Sequence, residues 1–168
     1  MAARNKLVIR NPNAIRDMQR RIGAHAVAVG VHGDAGAHKD EQGHATATTV
    51  AEVYWWNEFG TSRIPERPTL RPTFAKEKVK YIQILGQITG RVMNEQNYNL
   101  RQAMGRLGEV AQQDLQAAIV ELKTPPNAQS TIDKKKSDNP LIDSGQMLSS
   151  IRWAYVRPST ARGKKRST

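Results

Sequence analysis

Four histidines, His25, His32, His38 and His44, fall close together beside Asp34, Asp40 and Glu41. Imidazole and carboxylate side chains in one place can hold a divalent cation. Successive histidines here are six or seven residues apart, whereas structural zinc sites use pairs about two to five apart. The stretch therefore reads as a polar surface loop, with no metal and no other cofactor. Glu52, Glu58 and Glu66 supply carboxylates, but a general acid–base pair needs two of them facing across a cleft with one perturbed. Nothing in their spacing fixes that. Glu58 reads instead as a partner for Arg63, Arg67 or Arg71. Ser144 precedes Gly145 without a histidine in a recognisable context, and no HExxH, P-loop or nucleophile elbow occurs. The residue types argue against an enzyme, and a small cell-wall hydrolase finds no supporting site.

Binding chemistry is better represented. Tyr54, Trp55 and Trp56 are consecutive, and aromatic side chains can stack on bases or anchor a protein interface. On a helix, neighbours in sequence point to different sides, so one of the three belongs to the core while another is free to meet a subunit. Lys134, Lys135 and Lys136 form a run that reads as solvated, with phosphate contact as the alternative. The net charge is +11, and its placement is uneven. Residues 1–22 carry Arg4, Lys6, Arg10, Arg16, Arg20 and Arg21 against Asp17 alone. Residues 157–168 carry Arg157, Arg162, Lys164, Lys165 and Arg166 against no acid. The two ends account for +10, leaving +1 for residues 23–156. A nearly neutral body with two basic ends suits a polyanion, either nucleic acid or an acidic protein surface, and Arg4, Lys6, Arg10, Arg162, Lys164, Lys165 and Arg166 are the expected contacts.

The elements that position these residues follow from periodicity. Residues 13–22 predict a short helix capped by Asn11 or Asn13, with Ile15, Met18 and Ile22 on one side. Residues 25–31 alternate valine with alanine or glycine, which predicts a strand whose small-residue face lies close under a helix. Residues 32–45 are polar and glycine-rich and predict a mobile loop. Residues 46–59 predict a helix capped by Thr48 or Thr49 and ended by Gly60. Two longer helices follow. The first spans 74–94 with Val79, Ile82, Leu85, Ile88 and Val92 as its apolar stripe. The second spans 99–122 with Leu100, Met104, Leu107, Ala111, Leu115, Ala118 and Leu122. Asn97 to Asn99 either separates them or kinks one long helix. Residues 124–140 form a loop rich in proline, serine and lysine. A short helix capped by Asp143 or Ser144 leads to a strand at 152–156, which pairs with 25–31. The fold class is α+β: one domain over 1–168, with a small antiparallel sheet packed against two longer helices, an extended Pro/Arg arm at 57–74 and a basic tail at 157–168. Hydrophobic residues make up 38% of the chain and aromatics 5%, a modest core that burial against partner subunits would complete.

The arm holds three prolines and three arginines in eighteen residues. Proline fixes φ and lacks a backbone donor, and the residue before it is pushed toward extended geometry. Ile64, Arg67 and Arg71 are accordingly expected to be extended, which excludes an ordinary helix. A rigid cationic segment beside large aromatics suits docking. Its expected interface residues are Trp55, Trp56, Glu58, Phe59, Arg63, Arg67, Leu70, Arg71 and Phe74, with Glu58 pinning the root and Leu70 and Phe74 anchoring the far end.

Asn57-Glu58-Phe59-Gly60-Thr61, followed by Pro65-x-Arg67-Pro68-x-Leu70-Arg71-Pro72-x-Phe74, resembles a signature of tailed-bacteriophage neck proteins, the tail-completion or virion-morphogenesis families. Their members run as an acidic residue, Phe-Gly-Thr, then Pro-Ala-Arg-Pro-Phe-Leu-Arg-Pro-Ala. A second stretch, Asn139-Pro140-Leu141-Ile142-Asp143-Ser144-Gly145-Gln146-Met147-Leu148-Ser149-Ser150-Ile151, is similar to their Pro-Leu-Ile-Asp-Thr-Gly-x-Leu-x-x-Ser-Ile run before a final strand. Together the two stretches cover about thirty residues. Glu66 stands where alanine is usual, Thr69 where an aromatic is usual, and the basic C-terminal tail has no counterpart. The resemblance implies a non-enzymatic virion protein at the head–tail junction, assembled in the host cytoplasm. It implies a homo-oligomeric ring, six-fold in preference to twelve-fold, that completes the tail and meets other neck, connector or tail-tube proteins. Asp143, Ser144 and Gly145 would form its turn before the closing strand. The alternative is a nucleic-acid-binding module using the basic ends. No apolar run approaches the roughly 18 residues that span a bilayer, and the first residues lack a secretory apolar region, so no membrane partner is expected.

Overall fold

The computed structural model describes residues 13–40, 42–95, 97–126, 141 and 145–156. The expected polyanion contacts at Arg4, Lys6, Arg10, Arg162, Lys164, Lys165 and Arg166 lie outside these residues, as do Asp143, Ser144, Lys134 to Lys136 and most of the 124–140 loop.

The fold is α+β. Helix α1 (Ala14–Gly23) has Asn13 at its N-cap position and leads into β1 (Ala26–Val31). Strand β1 pairs antiparallel with β4 (Ile151–Val156), as the alternation in both segments predicts. The register sets Val27, Val29 and Val31 opposite Tyr155, Trp153 and Ile151, so one face of the pair is apolar and aromatic. A long helix, α4 (Leu100–Glu121), lies over that face, with Val29 and Val31 joining Leu115, Ile119 and Ile151 in one core cluster. The helix is thus on the valine side of β1, not on the alanine and glycine side where the sequence suggested it. Close approach comes from glycines on the helix instead. A Cβ at Gly108 would stand 2.8 Å from Trp153 Cδ2, and one at Gly105 would stand 3.1 Å from Trp153 Cη2. The indole therefore lies flat against bare helix backbone.

Helix α3 (Leu70–Asn94) runs antiparallel to α4 after a break at 95–99. Asn99 closes the break by accepting the Gln102 N–H at 3.0 Å, which caps α4. Asp114 ties the two helices together, accepting from Lys80 Nζ at 2.7 Å and Tyr81 Oη at 2.8 Å. The stripe expected on α3 is only half right. Ile88 and Val92 are buried with Leu100, Ala103, Met104 and Leu107, joined by Tyr81 and Ile84. Val79, Ile82 and Leu85 face solvent. Steps of three residues fall short of a 3.6-residue turn by about 60° each, so the run 79-82-85-88 migrates from one side of the helix to the other.

Two further corrections concern residues 37–59. Helix α2 (Val50–Phe59) starts four residues later than expected, and Thr49 is its cap: Thr49 Oγ1 accepts the Glu52 N–H at 3.2 Å while Glu52 Oε2 accepts the Thr49 N–H at 2.7 Å. That reciprocal pair is a capping box, and it holds the Glu52 carboxyl below its ordinary value. The residues before it are strand. Segments β2 (Ala37–Lys39) and β3 (Ala45–Thr49) form an antiparallel hairpin where a mobile loop, and from Thr46 the start of a helix, were expected. Alternating threonines favour a strand, and the Asp40 carboxylate orders the turn by accepting the N–H groups of Gln42 and His44.

Candidate interface at the junction of α2 and α3

Glu58 lies at the end of α2 and is only 2% exposed. Its carboxylate meets the start of α3. Oε2 accepts the N–H groups of Thr69 at 2.7 Å and Leu70 at 2.9 Å, and Oε1 accepts the Arg71 N–H at 3.0 Å. The first N–H groups of a helix have no partner inside it and carry its positive dipole end. One carboxylate satisfies those of α3. Pro72 follows them and has no N–H to satisfy, and Thr73 N returns to Thr69 O, so the first turn is complete. This explains why Arg71 is helical although it precedes a proline: Pro72 sits in the first turn, where its missing donor costs nothing.

Arg71 closes the junction from outside. Its Nε donates to Glu58 Oε1 at 3.2 Å, and its Nη2 donates to Glu58 O at 2.6 Å and to a Glu66 carboxylate oxygen. These contacts, Glu66 foremost, hold the guanidinium above its ordinary value. Of the three arginines expected to pair with Glu58, Arg71 does so. Tyr54 Oη and Thr69 Oγ1 meet at 2.9 Å beneath the carboxylate. Burial there pushes the Tyr54 phenol up to about 12. Glu66 and Thr69, the two positions that depart from the phage signature, thus both make contacts at this junction.

The intervening chain is not the extended arm that its prolines suggest. Residues 57–59 finish α2, and 70–74 begin α3. Between them Gly60 takes φ +70, and Thr61 N donates to Ile64 O at 2.9 Å. The chain doubles back so closely that a Cβ at Gly60 would lie 3.2 Å from Glu66 N. Arg67 N then returns to Asn57 O at 2.6 Å. The Arg67 side chain is buried and crosses to the exit of α4, donating from Nε to Pro125 O and from Nη2 to Pro126 O, each at 3.0 Å. Burial pulls its guanidinium pKa below the ordinary arginine value. It holds three chain segments together through neutral carbonyls.

The expected interface residues therefore divide. Glu58 and Arg67 are buried and occupied within the chain, Leu70 packs on the core and Trp56 is half-buried. Trp55, Phe59, Arg63, Arg71 and Phe74 face outward. Trp55 is 62% exposed and packs against Phe59 in a tilted pair with 4.1 Å between ring centroids, while the Arg71 guanidinium lies 4.6 Å from the Phe59 centroid. The three form an aromatic and cationic ledge built on the buried carboxylate. Trp and Arg carry a large share of energy in protein interfaces.

Elsewhere the candidate chemistry is dispersed. His25 contacts Tyr155 Oη, His32 contacts Arg152 O, and His44 pairs with Asp40. No group of residues suited to a metal occurs among the described residues. Glu52, Glu58 and Glu66 serve a helix cap, a buried clasp and an arginine contact, so they do not form a catalytic pair. In the second phage-like stretch, Gly145 takes φ +74 before helix α5 (Gln146–Ser150). Its Gln146 side chain was not singled out by the sequence. Oε1 accepts the Lys39 N–H and Nε2 donates to Ala37 O, which fastens α5 to strand β2. Glutamine beside glycine gives no signal of that reach across the fold. Among the described residues no helix is long and apolar enough to cross a membrane. Comparison with protein-family models, curated proteins and solved structures gives no match to this chain.

Proposed function

We propose that this chain is a structural protein of the neck of a tailed phage, which completes the tail and joins it to the head as a ring-shaped homo-oligomer. The observation that supports this most directly is the junction of α2 and α3. Residues of the phage-like signature, with Trp55 just before it, build a fixed ledge: Glu58 and Arg67 lock the backbone, and Trp55, Phe59 and Arg71 stand on its outer side. A rigid, outward aromatic and arginine surface binds a neighbour with little ordering cost. A closed ring needs one such heterologous contact per subunit, repeated around the axis. Six-fold closure is preferred to twelve-fold, and the basic ends would face an acidic partner ring or DNA in the channel.

Mass spectrometry of purified virions and tails tests the assignment. The protein should be present in a fixed small copy number matching its ring, and Trp55→Ala with Phe59→Ala should leave headless tails or tailless heads. Absence from particles would refute the neck role. Strongly salt-dependent affinity for free DNA, with no ring formed, would favour the nucleic-acid-binding alternative.

A further inference from the structure

Helix α3 has a second apolar face, turned away from the core. Val79 is 66% exposed, Ile82 57% and Met93 68%, with Leu85 at its edge. From 81 to 90 the helix carries no charged residue at all. Gly86 and Gly90 lie in the same stripe, and a Cβ added at either would meet nothing within 4 Å, so the helix backbone is open to close approach there.

We infer that this face pairs with the same face of a second copy, the two α3 helices crossing antiparallel about a two-fold axis at Gly86. The spacing is self-complementary. Val79 lies seven residues before Gly86 and Met93 seven after it; Ile82 lies four before and Gly90 four after. In a two-fold contact, residue i meets j and j meets i. Reversing one helix about Gly86 therefore sets Met93 over the partner's Val79, and Ile82 over the hollow at the partner's Gly90. Ile82 thus enters a glycine gap and Met93 packs on Val79, each twice by the symmetry. Residues 81–90 carry no charge, so two copies can meet along this stripe without setting like charges against each other.

The size of the patch is consistent with such a pair. Val79, Ile82, Leu85 and Met93 leave on the order of 400 Å² of side chain in water, which is the scale of an interaction patch on a monomer. Two copies cover about twice that from these side chains, and the glycine, glutamine and threonine surface between them brings the total toward the ~1,200 Å² where specific interfaces begin. Contacts at this low end of the size range are typically weak ones, so the expected dissociation constant is micromolar. The inference is independent of the neck assignment: it concerns the free protein and is tested in solution, whereas that assignment is tested in particles.

The chain contains no cysteine, so single-cysteine variants report contacts without background. Gly86→Cys in the full chain should form a disulfide dimer under mild oxidation far faster than Gln113→Cys, which is exposed on α4. Ile82→Cys mixed with Gly90→Cys should cross-link more readily than either alone. Sedimentation of the unmodified protein should show a monomer–dimer equilibrium, weakened about tenfold or more by Gly86→Leu, with an unchanged helical circular dichroism spectrum showing that the variant folds. A monomer throughout the micromolar range, or equal cross-linking at 86 and 113, overturns the inference. So does cross-linking of Ile82→Cys with itself in preference to the mixture, since that indicates a different arrangement of the helices.

Discussion

At the junction of α2 and α3 a buried carboxylate accepts three backbone N–H groups, an arginine covers it, and a second arginine binds two carbonyls across the fold. Further along the same helix, Val79, Ile82 and Met93 stand in water beside two open glycines. The first region has many polar groups, nearly all engaged within the chain. The second has almost none and leaves apolar surface uncovered. The arginine-rich segment looks like the docking element because charge draws attention, yet most of its charge serves to shape the backbone. The surface with the larger apolar area to bury is the plain one. The junction should therefore govern stability, and the outer face of α3 should govern self-association of the free protein.

The largest effect is expected at Glu58. Glu58→Ala leaves the N–H groups of Thr69, Leu70 and Arg71 without their acceptor and Arg71 without its inner partner. A covered donor left without a partner typically costs about 1–3 kcal/mol. Denaturant unfolding should show a loss of at least that order, while Val79→Ala on the outer face should stay within about 0.5 kcal/mol. Equal losses at the two sites would erase the distinction between the regions.

The two faces of α3 offer the next contrast. Ile88 is buried between α3 and α4, and Ile82 is exposed six residues earlier. Ile88→Ala should cost about 2–5 kcal/mol, with dimerisation changed only through unfolding. Ile82→Ala should leave the unfolding midpoint of the dilute protein in place and weaken the dimer. Helix α3 is also where the sequence was hardest to interpret. Its partner α4 was legible because Leu100, Met104, Leu107, Ala111 and Leu115 step by four, three, four and four, which keeps to one side. On α3 two apolar stripes overlap, and steps of three join them into a false one.

Other misses have similarly local causes. The prolines of 57–74 signalled extended chain, but Pro72 falls in a first turn, where proline is at home, and Gly60 reverses the path. That Glu58 would hold an arginine was legible from charge. That its main partners are backbone N–H groups was not, because nothing in the residue types marks where α3 begins. The hairpin at 37–49 was hidden by glycine and histidine content, although Thr46 and Thr48 alternate within it.

A smaller effect is expected where α4 meets the sheet. Gly108→Ala places a methyl 2.8 Å from the Trp153 ring. The Trp153 backbone is held by its pairing with β1 and by its N–H donating to Gln112 Oε1 at 3.0 Å, so the strand cannot simply move away from the helix. Overpacking of this kind costs about 1–3 kcal/mol. The loss should accompany a shift in tryptophan fluorescence, because Trp153 is one of three tryptophans and the other two lie on α2. Dimerisation through the outer face of α3 should not change.

The smallest effect separates the two regions by pH. Burial, and to a lesser degree the Glu58 charge, raises the Tyr54 phenol to about 12, against about 10 in an unfolded chain. The folded state disfavours the phenolate. The stability this phenol contributes is therefore complete below pH ~10 and is lost as pH rises toward and through ~12. Tyr54→Phe should cost about 1 kcal/mol at neutral pH by removing the bond to Thr69. It should also remove part of the alkaline decline in stability and one late component of the phenolate absorbance titration. Val79, Ile82 and Met93 have no proton to lose. Cross-linking at Gly86 compared at equal thiolate fraction should thus stay level over the pH range in which the junction begins to loosen, and a parallel decline would mean that the outer face depends on the junction after all.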